Sequence, residues 1–345
     1  MLRHIAPLIF VVITLLIARQ IYPYSSFNTP TVDDGFEIEV VATNLGGPTC
    51  LDWFNESTLI VCDRDGGQIY TLDANMSKTV LISGLDRPHD MAYTETSIFV
   101  SEAGELTRYT HNGNLEQIEN RTTLVSGVPT GNHQTNAINI LPNGTLIWHS
   151  GSTCNICVED DSRNGALLWV NASTGSHGIL ASGVRNSFDG VWVPNVGYVF
   201  TDNGRDWEGD HPDEELNLLA EGGNYGWPDD DPSNPVPAGS IGPIATWTPH
   251  TSMNGVALRP ANSPLPGGNT TVYATVYGSW NTILPQGHEI VRIDLSPTNG
   301  DVIGVTSVFA EDVGTPLPIV FHPNGDLYFA VFGSNGKLYK ITAEI

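Results

Sequence analysis

Three polar stretches of this 345-residue chain carry side chains that could do chemistry. The first is Gly131-Asn132-His133-Gln134, placed just before an apolar run. An imidazole titrates near neutral pH, so it can serve as acid, base or ligand. A lone histidine at the start of a strand is more often a polar turn residue. The second stretch is Gly183-Val184-Arg185-Asn186, whose guanidinium could steady negative charge or brace the turn against a nearby acid. The third opens with Asp202-Asn203-Gly204-Arg205-Asp206 and continues through Asp213-Glu214-Glu215-Leu216-Asn217 to Gly222-Gly223-Asn224-Tyr225-Gly226-Trp227-Pro228. Its three successive acids read as a solvated acidic face or as a Ca²⁺ site, since that hard cation prefers oxygen ligands. His250 and His89 are two further candidates. Trp207, Trp227 and Trp280 read as loop anchors or as a rim for stacking a sugar.

The elements that must position these residues form a repeat. Each unit opens on a Gly- or Pro-containing turn, and the openings begin at Asn44, Gly84, Gly127, Gly183, Thr246 and Asp312. Successive differences are 40, 43, 56, 63 and 66 residues, the first two matching a four-stranded blade and the rest carrying insertions. Within each unit lies one near-continuous apolar run: Leu59–Cys62, Ile98–Ser101, Leu146–His149, Tyr198–Thr201, Val272–Val276 and Leu327–Ala330. Runs this short and this apolar are strands buried on both faces. A following strand is expected at Gln68–Leu72, Leu106–Thr110, Ala166–Val170, His288–Ile293 and Lys337–Ile341. Six units predict an all-β, six-bladed β-propeller, with Phe36–Val41 pairing beside the last unit to close the ring. A β-sandwich is the competing architecture, and the sixfold repeat argues against it. The stretch from Asp202 to Trp247 reads as a long acidic loop insertion, the kind of segment that carries function on a rigid scaffold.

Composition bounds the setting. The chain has 38 acidic and 14 basic residues, a formal charge of −24, which repels nucleic acid and anionic membranes. Residues 1–24 read as a signal peptide or an N-terminal membrane anchor: Arg3, then the mostly apolar run from Ile5 to Ala18, then Arg19. Cleavage and retention are equally consistent with it, retention meaning anchoring through residues 5–24. Residues 25–35 read as a linker and 36–345 as the propeller. Asn-x-Ser/Thr sequons at Asn55, Asn75, Asn120, Asn143, Asn171 and Asn269, with four cysteines, agree with an extracytoplasmic, glycosylated protein, secreted, periplasmic or held at the outer face of the membrane. Cys50 and Cys62 lie on two expected neighbouring strands, where a disulfide is plausible. Cys154 and Cys157 either close on each other or stay reduced.

The second and third stretches, in this order and spacing, resemble the soluble quinoprotein glucose/sorbosone dehydrogenases. Asn132-His133-Gln134, the loop Gly151–Cys157 and Gly278-Ser279-Trp280-Asn281 also match, and the resemblance spans residues 36–345. It implies a six-bladed propeller. It also implies oxidation of an aldose or aldehyde by hydride transfer to pyrroloquinoline quinone (PQQ) held by Ca²⁺, with electrons passed to an external acceptor. By this likeness His133 is the general base and Arg185 stabilises charge at the quinone. Asn132, Gln134, Asn186, Arg205 and His250 line the cofactor site, and the backbone carbonyls of Gly204 and Arg205 bind Ca²⁺. The sequence departs from the family where basic residues would meet the cofactor's carboxylates: Thr282 follows Gly-Ser-Trp-Asn, and the last unit opens as Gly314-Thr315-Pro316-Leu317-Pro318. Arg205, Arg87 and Ca²⁺ are the candidates to compensate. Two other functions fit the sequence, a non-catalytic Ca²⁺-binding propeller that holds carbohydrate or another ligand, and a Ca²⁺-dependent hydrolase of the lactonase type.

Overall fold

The computed structural model describes residues 29–113, 115, 117–206, 210–280, 286–298 and 300–344, together with Val11 and Thr14. Apart from those two positions the apolar N-terminal segment lies outside the described residues, as do Trp207, Asn281 and Thr282. No helix among the described residues is long and apolar enough to cross a membrane.

From residue 29 onward the elements are strands: β1 (Thr31–Val32) and β2 (Phe36–Thr43), then the blades in chain order. Blade 1 holds β3 (Pro48–Asn55), β4 (Thr58–Asp63), β5 (Gln68–Leu72) and β6 (Lys78–Ser83). Blade 2 holds β7 (Asp90–Tyr93), β8 (Ser97–Glu102), β9 (Glu105–His111) and β10 (Ile118–Val125). Blade 3 holds β11 (Thr135–Ile140), β12 (Leu146–Ser150), β13 (Ala166–Val170) and β14 (His177–Ser182). Blade 4 holds β15 (Gly190–Val193), β16 (Gly197–Asp202), β17 (Glu214–Leu218) and β18 (Ala245–Trp247). Blade 5 holds β19 (Met253–Leu258), β20 (Thr271–Val276), β21 (Glu289–Thr298) and β22 (Asp301–Glu311), and blade 6 holds β23 (Pro316–Phe321), β24 (Leu327–Val331) and β25 (Lys337–Ala343).

The fourth strand of blade 6 comes from the other end of the chain. β2 pairs antiparallel with β25, from Phe36 opposite Ala343 to Thr43 opposite Lys337, so the ring closes as the sequence predicts. Two expectations are corrected. Residues 25–35 are not wholly linker, because Thr31 and Val32 pair with Glu311 and Ala310 and add a fifth strand to blade 5. Nor is 202–247 only a loop, because β17 and β18 within it complete blade 4. Glu214 and Glu215 therefore stand in a strand, with Glu214 almost fully buried, and are not a solvated acidic face.

The apolar second strands fill the spaces between blades. Ile60 and Cys62 of β4 pack with Ile98 and Val100 of β8, and Trp148 of β12 packs with Phe99 and donates its indole N–H to Ser101 Oγ at 2.8 Å. Polar side chains tie the innermost strands together. The β11–β12 register shifts between Thr135 and Ile138, which frees the Ile138 N–H, and Asp90 of the preceding blade accepts it at 2.9 Å. Asp189 does the same for Val256 N–H beside the shift in β19. Burial pushes the carboxyl of Asp189 up to about 6 and that of Asp90 well above the usual carboxylate range.

β3, β7, β11, β15, β19 and β23 line a central channel of about 680 Å³. All six begin on one face of the disc, here called upper. Antiparallel pairing then puts the turns between first and second strands, and between third and fourth, on the lower face.

Candidate active site

The first and second polar stretches meet on the upper face through a loop of blade 3. Segment 131–134 runs against segment 151–153: Asn132 N–H bonds Thr153 O at 2.9 Å, His133 N–H bonds Ser152 O at 3.2 Å, and Gly151 N–H bonds Gln134 O at 3.1 Å. The approach is close enough to require glycine. A Cβ on Gly151 would stand 2.6 Å from that of His133, and one on Gly131 would stand 2.1 Å from Thr153 O. Ser152 N–H in turn bonds Arg185 O at 2.8 Å, joining the blade 4 turn to the same loop. Both cysteine pairs are disulfides. Cys50–Cys62 links directly opposed residues of β3 and β4, and Cys154–Cys157 closes the loop beside His133.

These contacts decide the tautomer of His133. The Ser152 hydroxyl donates its one proton to Cys154 O at 2.8 Å, so it can only accept from His133 Nδ1, which lies 2.9 Å away. Nδ1 therefore carries the hydrogen and Nε2 keeps its lone pair. Burial, with the Arg185 charge, pushes the imidazole down to about 3, so it is neutral at pH 7. His133 lines a cavity of about 250 Å³ together with Asn132, Gln134, Asn186, His89 and Phe188. Two buried polar atoms in its wall have no protein partner, Gln134 Oε1 and His89 Nε2. Both atoms are shielded from the open space of the cavity by the surrounding wall.

Arg185 is built in rather than presented. Its guanidinium bonds Asp206 Oδ2 at 2.7 Å, Asn155 Oδ1 at 2.9 Å and the carbonyls of Asn155 and Asn203, each at 3.2 Å. It reaches His133 through its positive field. Asn186 faces the cavity, where its Oδ1 accepts from Asn136 Nδ2 at 3.0 Å. The amides of Arg185 and Asn186 both point at the Asp202 carboxylate, at 2.9 and 2.7 Å.

Behind Arg185 lies a cavity of about 10 Å³, room for one water or one ion, lined by Asp202, Gly204, Pro212, Asp213, Glu215 and Asp230 among others. Burial pushes the carboxyls of Asp202 and Glu214 up to about 7 and that of Glu215 up to about 8. Its carboxylate and carbonyl oxygens are donors that suit a hard cation, and Arg185 lies in the same lining. Gly204 borders this cavity. Arg205 turns away from the His133 cavity, and its guanidinium meets the carbonyls of Pro228 and Asp230. It is placed to brace the loop. His250, in the turn before β19, lines neither this cavity nor that of His133.

Arg64 went unnoticed in the sequence. It follows β4 in a turn with no motif, and only the curvature of the ring carries it to the cavity wall beside Arg87. The channel acids were likewise unmarked: Asp52 within β3, Asp90 at the start of β7 and Asp189 just before β15.

Comparison with known proteins agrees with this architecture. The family model described as TrAA12-like matches residues 30–229. A pyrroloquinoline quinone-dependent sugar dehydrogenase of Hypocrea jecorina (strain QM6a) is 24% identical over 361 residues, covering 90% of this chain and 77% of that protein. Among solved structures, the iodide structure of the Trichoderma reesei Carbohydrate-Active Enzymes Family AA12 protein superposes with a TM-score of 0.76 at 20% identity, covering 91% of this chain and 98% of that one. The holo form of the pyranose dehydrogenase PQQ domain from Coprinopsis cinerea gives 0.75 at 18% identity, covering 92% and 97%. At such identities the superpositions speak for the fold, and the matched family model, which spans more than half of the chain, places this protein in the TrAA12-like family.

Proposed function

We propose that this protein is a PQQ- and Ca²⁺-dependent sugar dehydrogenase, oxidising an aldose or a related aldehyde and passing the electrons to an external acceptor. The observation that carries this reading is the relay from His133 Nδ1 through Ser152 Oγ to Cys154 O. It leaves a neutral imidazole with Nε2 able to accept a proton, on a cavity also lined by Asn132, Gln134 and Asn186. A bound quinone supplies the hydride acceptor and Ca²⁺ polarises it. The residues present fit these groups. The oxygen-lined pocket around Asp202, Gly204 and Glu215 suits one Ca²⁺, and Asn186 offers an amide to the organic ligand. His133 takes the hydroxyl proton of the sugar, and the fixed Ser152 bond keeps its ring aimed as it does so. Arg185, clamped by Asn155 and Asp206, places a positive charge near His133 and keeps the base unprotonated until substrate arrives. Asn132, Gln134 and Asn186 set the walls that orient the ligand.

An extracytoplasmic location follows from the same reading. All six sequon asparagines are exposed, and all six lie in or next to turns of the lower face, away from His133. Residues 1–24 serve as export signal or anchor for the propeller that follows.

The test is titration of PQQ with Ca²⁺ into the purified protein, followed by quinone absorbance with a panel of aldoses. Saturable binding with sugar-dependent bleaching, abolished in His133→Ala, is the expected outcome. No binding at high micromolar quinone would overturn the assignment.

A further inference from the structure

We propose that Arg64 and Arg87 form a carboxylate-binding subsite at the mouth of the His133 cavity, so that the substrate class is a sugar bearing a carboxylate, such as a hexuronate. This rests on the dehydrogenase reading above and narrows it.

Both arginines line the same 250 Å³ cavity as His133, at the turns of blades 1 and 2. They bring two positive charges to one rim of a chain whose net charge is −24. Among the described residues each pairs only with its own chain neighbour: Arg64 Nη1 with Asp65 Oδ1 at 3.0 Å, and Arg87 Nε with Asp86 Oδ1 at 3.2 Å. Those two carboxylates are 50% and 69% exposed, so the pairs are worth little and leave most of each guanidinium fork for another oxyanion.

The position of the pair is built. Arg87 has φ of 48°, a left-handed conformation unusual for a side chain of its size, and its carbonyl is held at 3.0 Å by Gln134 Nε2 from blade 3. That leaves the other end of the same amide, Gln134 Oε1, buried with no partner among the described residues, as is His89 Nε2. Gln134 Oε1 is an acceptor and needs a hydroxyl donor, while His89 Nε2 takes whichever role its tautomer leaves it. The cavity therefore offers the amides of Asn132 and Asn186 in its wall, a base at His133, and two forks at its rim. A neutral aldose would use the first two and leave the third idle. Arg64 stands in blade 1 and the oxygen-lined pocket in blade 4, on the opposite side of the six-bladed ring. The carboxylate is a handle and takes no part in bond changes.

A carboxylate could also come from the cofactor, and the experiment separates the two sources. The full chain, as wild type and as Arg64→Gln, Arg87→Gln and the double variant, is titrated calorimetrically with sodium D-glucuronate and with D-glucose, and separately with PQQ plus Ca²⁺. The expected result is glucuronate binding about tenfold or more tighter than glucose, a preference lost in the double variant and weakened by salt, with PQQ affinity unchanged. Loss of PQQ affinity with no change for glucuronate would keep the two-arginine site but assign it to the cofactor, overturning the substrate class. Unchanged affinity for both ligands in a folded double variant overturns the subsite while leaving the dehydrogenase reading intact. Glucuronate binding through the pair without any quinone binding would do the reverse.

Discussion

His133 Nδ1 lies 2.9 Å from Ser152 Oγ, and the Ser152 hydroxyl is already committed to the Cys154 carbonyl 2.8 Å away. The serine thus reads out the backbone of a disulfide-closed loop and passes its orientation to the imidazole. Removing the hydroxyl in Ser152→Ala leaves the ring free to rotate and to exchange tautomers. We expect kcat to fall about 10–100-fold, the range for partners that orient a functional histidine, with KM little changed. His133→Ala should lose about 10²–10⁴-fold, as expected for a general base. Steady-state dye reduction, with circular dichroism to confirm folding, checks both.

The two disulfides should separate in their effects. Cys50–Cys62 spans 12 residues between blade strands, so its loss in Cys50→Ser/Cys62→Ser should cost about 3 kcal/mol of stability. Cys154–Cys157 spans only 3 residues and restrains the unfolded chain less. Its loss should lower kcat, through Ser152 and through Asn155, more than it lowers Tm. Thermal melting and turnover of the two double variants settle the order.

The buried His89 and His149 and the partly buried His133 are each held down to about 3, chiefly by desolvation. In the unfolded chain each would take up its proton near 6.5, so folding opposes protonation. Their contribution to stability is whole above about pH 6.5 and is lost as the pH falls toward 3. His149 sits between Tyr198 OH at 2.8 Å and Ser187 Oγ at 2.9 Å, away from any candidate metal ligand. The stability of wild type relative to His149→Gln should therefore drop over that window, measured by denaturant titration at several pH values.

Ca²⁺ should raise Tm and EDTA should lower it, because the pocket beside Arg185 is lined by Asp202, Asp213, Glu215 and Asp230, whose charges a bound cation would offset. Glu215→Gln should blunt the response. A Ca²⁺-independent Tm in wild type would show that the pocket holds no cation.

Enzymatic removal of N-glycans from protein secreted by a eukaryotic host should leave KM for sugar unchanged, since the sequons sit on the face opposite the cavity. Peptide mapping would report which asparagines carry glycan, and a changed KM would contradict the facial separation.

The strands that fill the spaces between blades were legible because burial on both faces demands a continuous apolar run, as in Leu146–His149 and Leu327–Ala330. The closing strand was legible too, since Phe36–Val41 alternates like a strand with one side covered. β17 was not. Its Glu214-Glu215-Leu216-Asn217-Leu218 looks like loop, and only its place between β16 and β18 lets two acids stand in a sheet.

The site divided in the same way. Residue type and order singled out the stretches that hold His133, Asn186 and Gly204, because a turn motif is a local property of the chain, and the family resemblance supplied the roles expected of them. Which nitrogen of His133 carries the proton, that Arg185 is spent on Asn155 and Asp206, and that Arg205 braces Asp230 while Arg64 reaches the cavity were decided by tertiary structure. Each depends on a partner from another loop or blade, and the closure of the ring sets those distances.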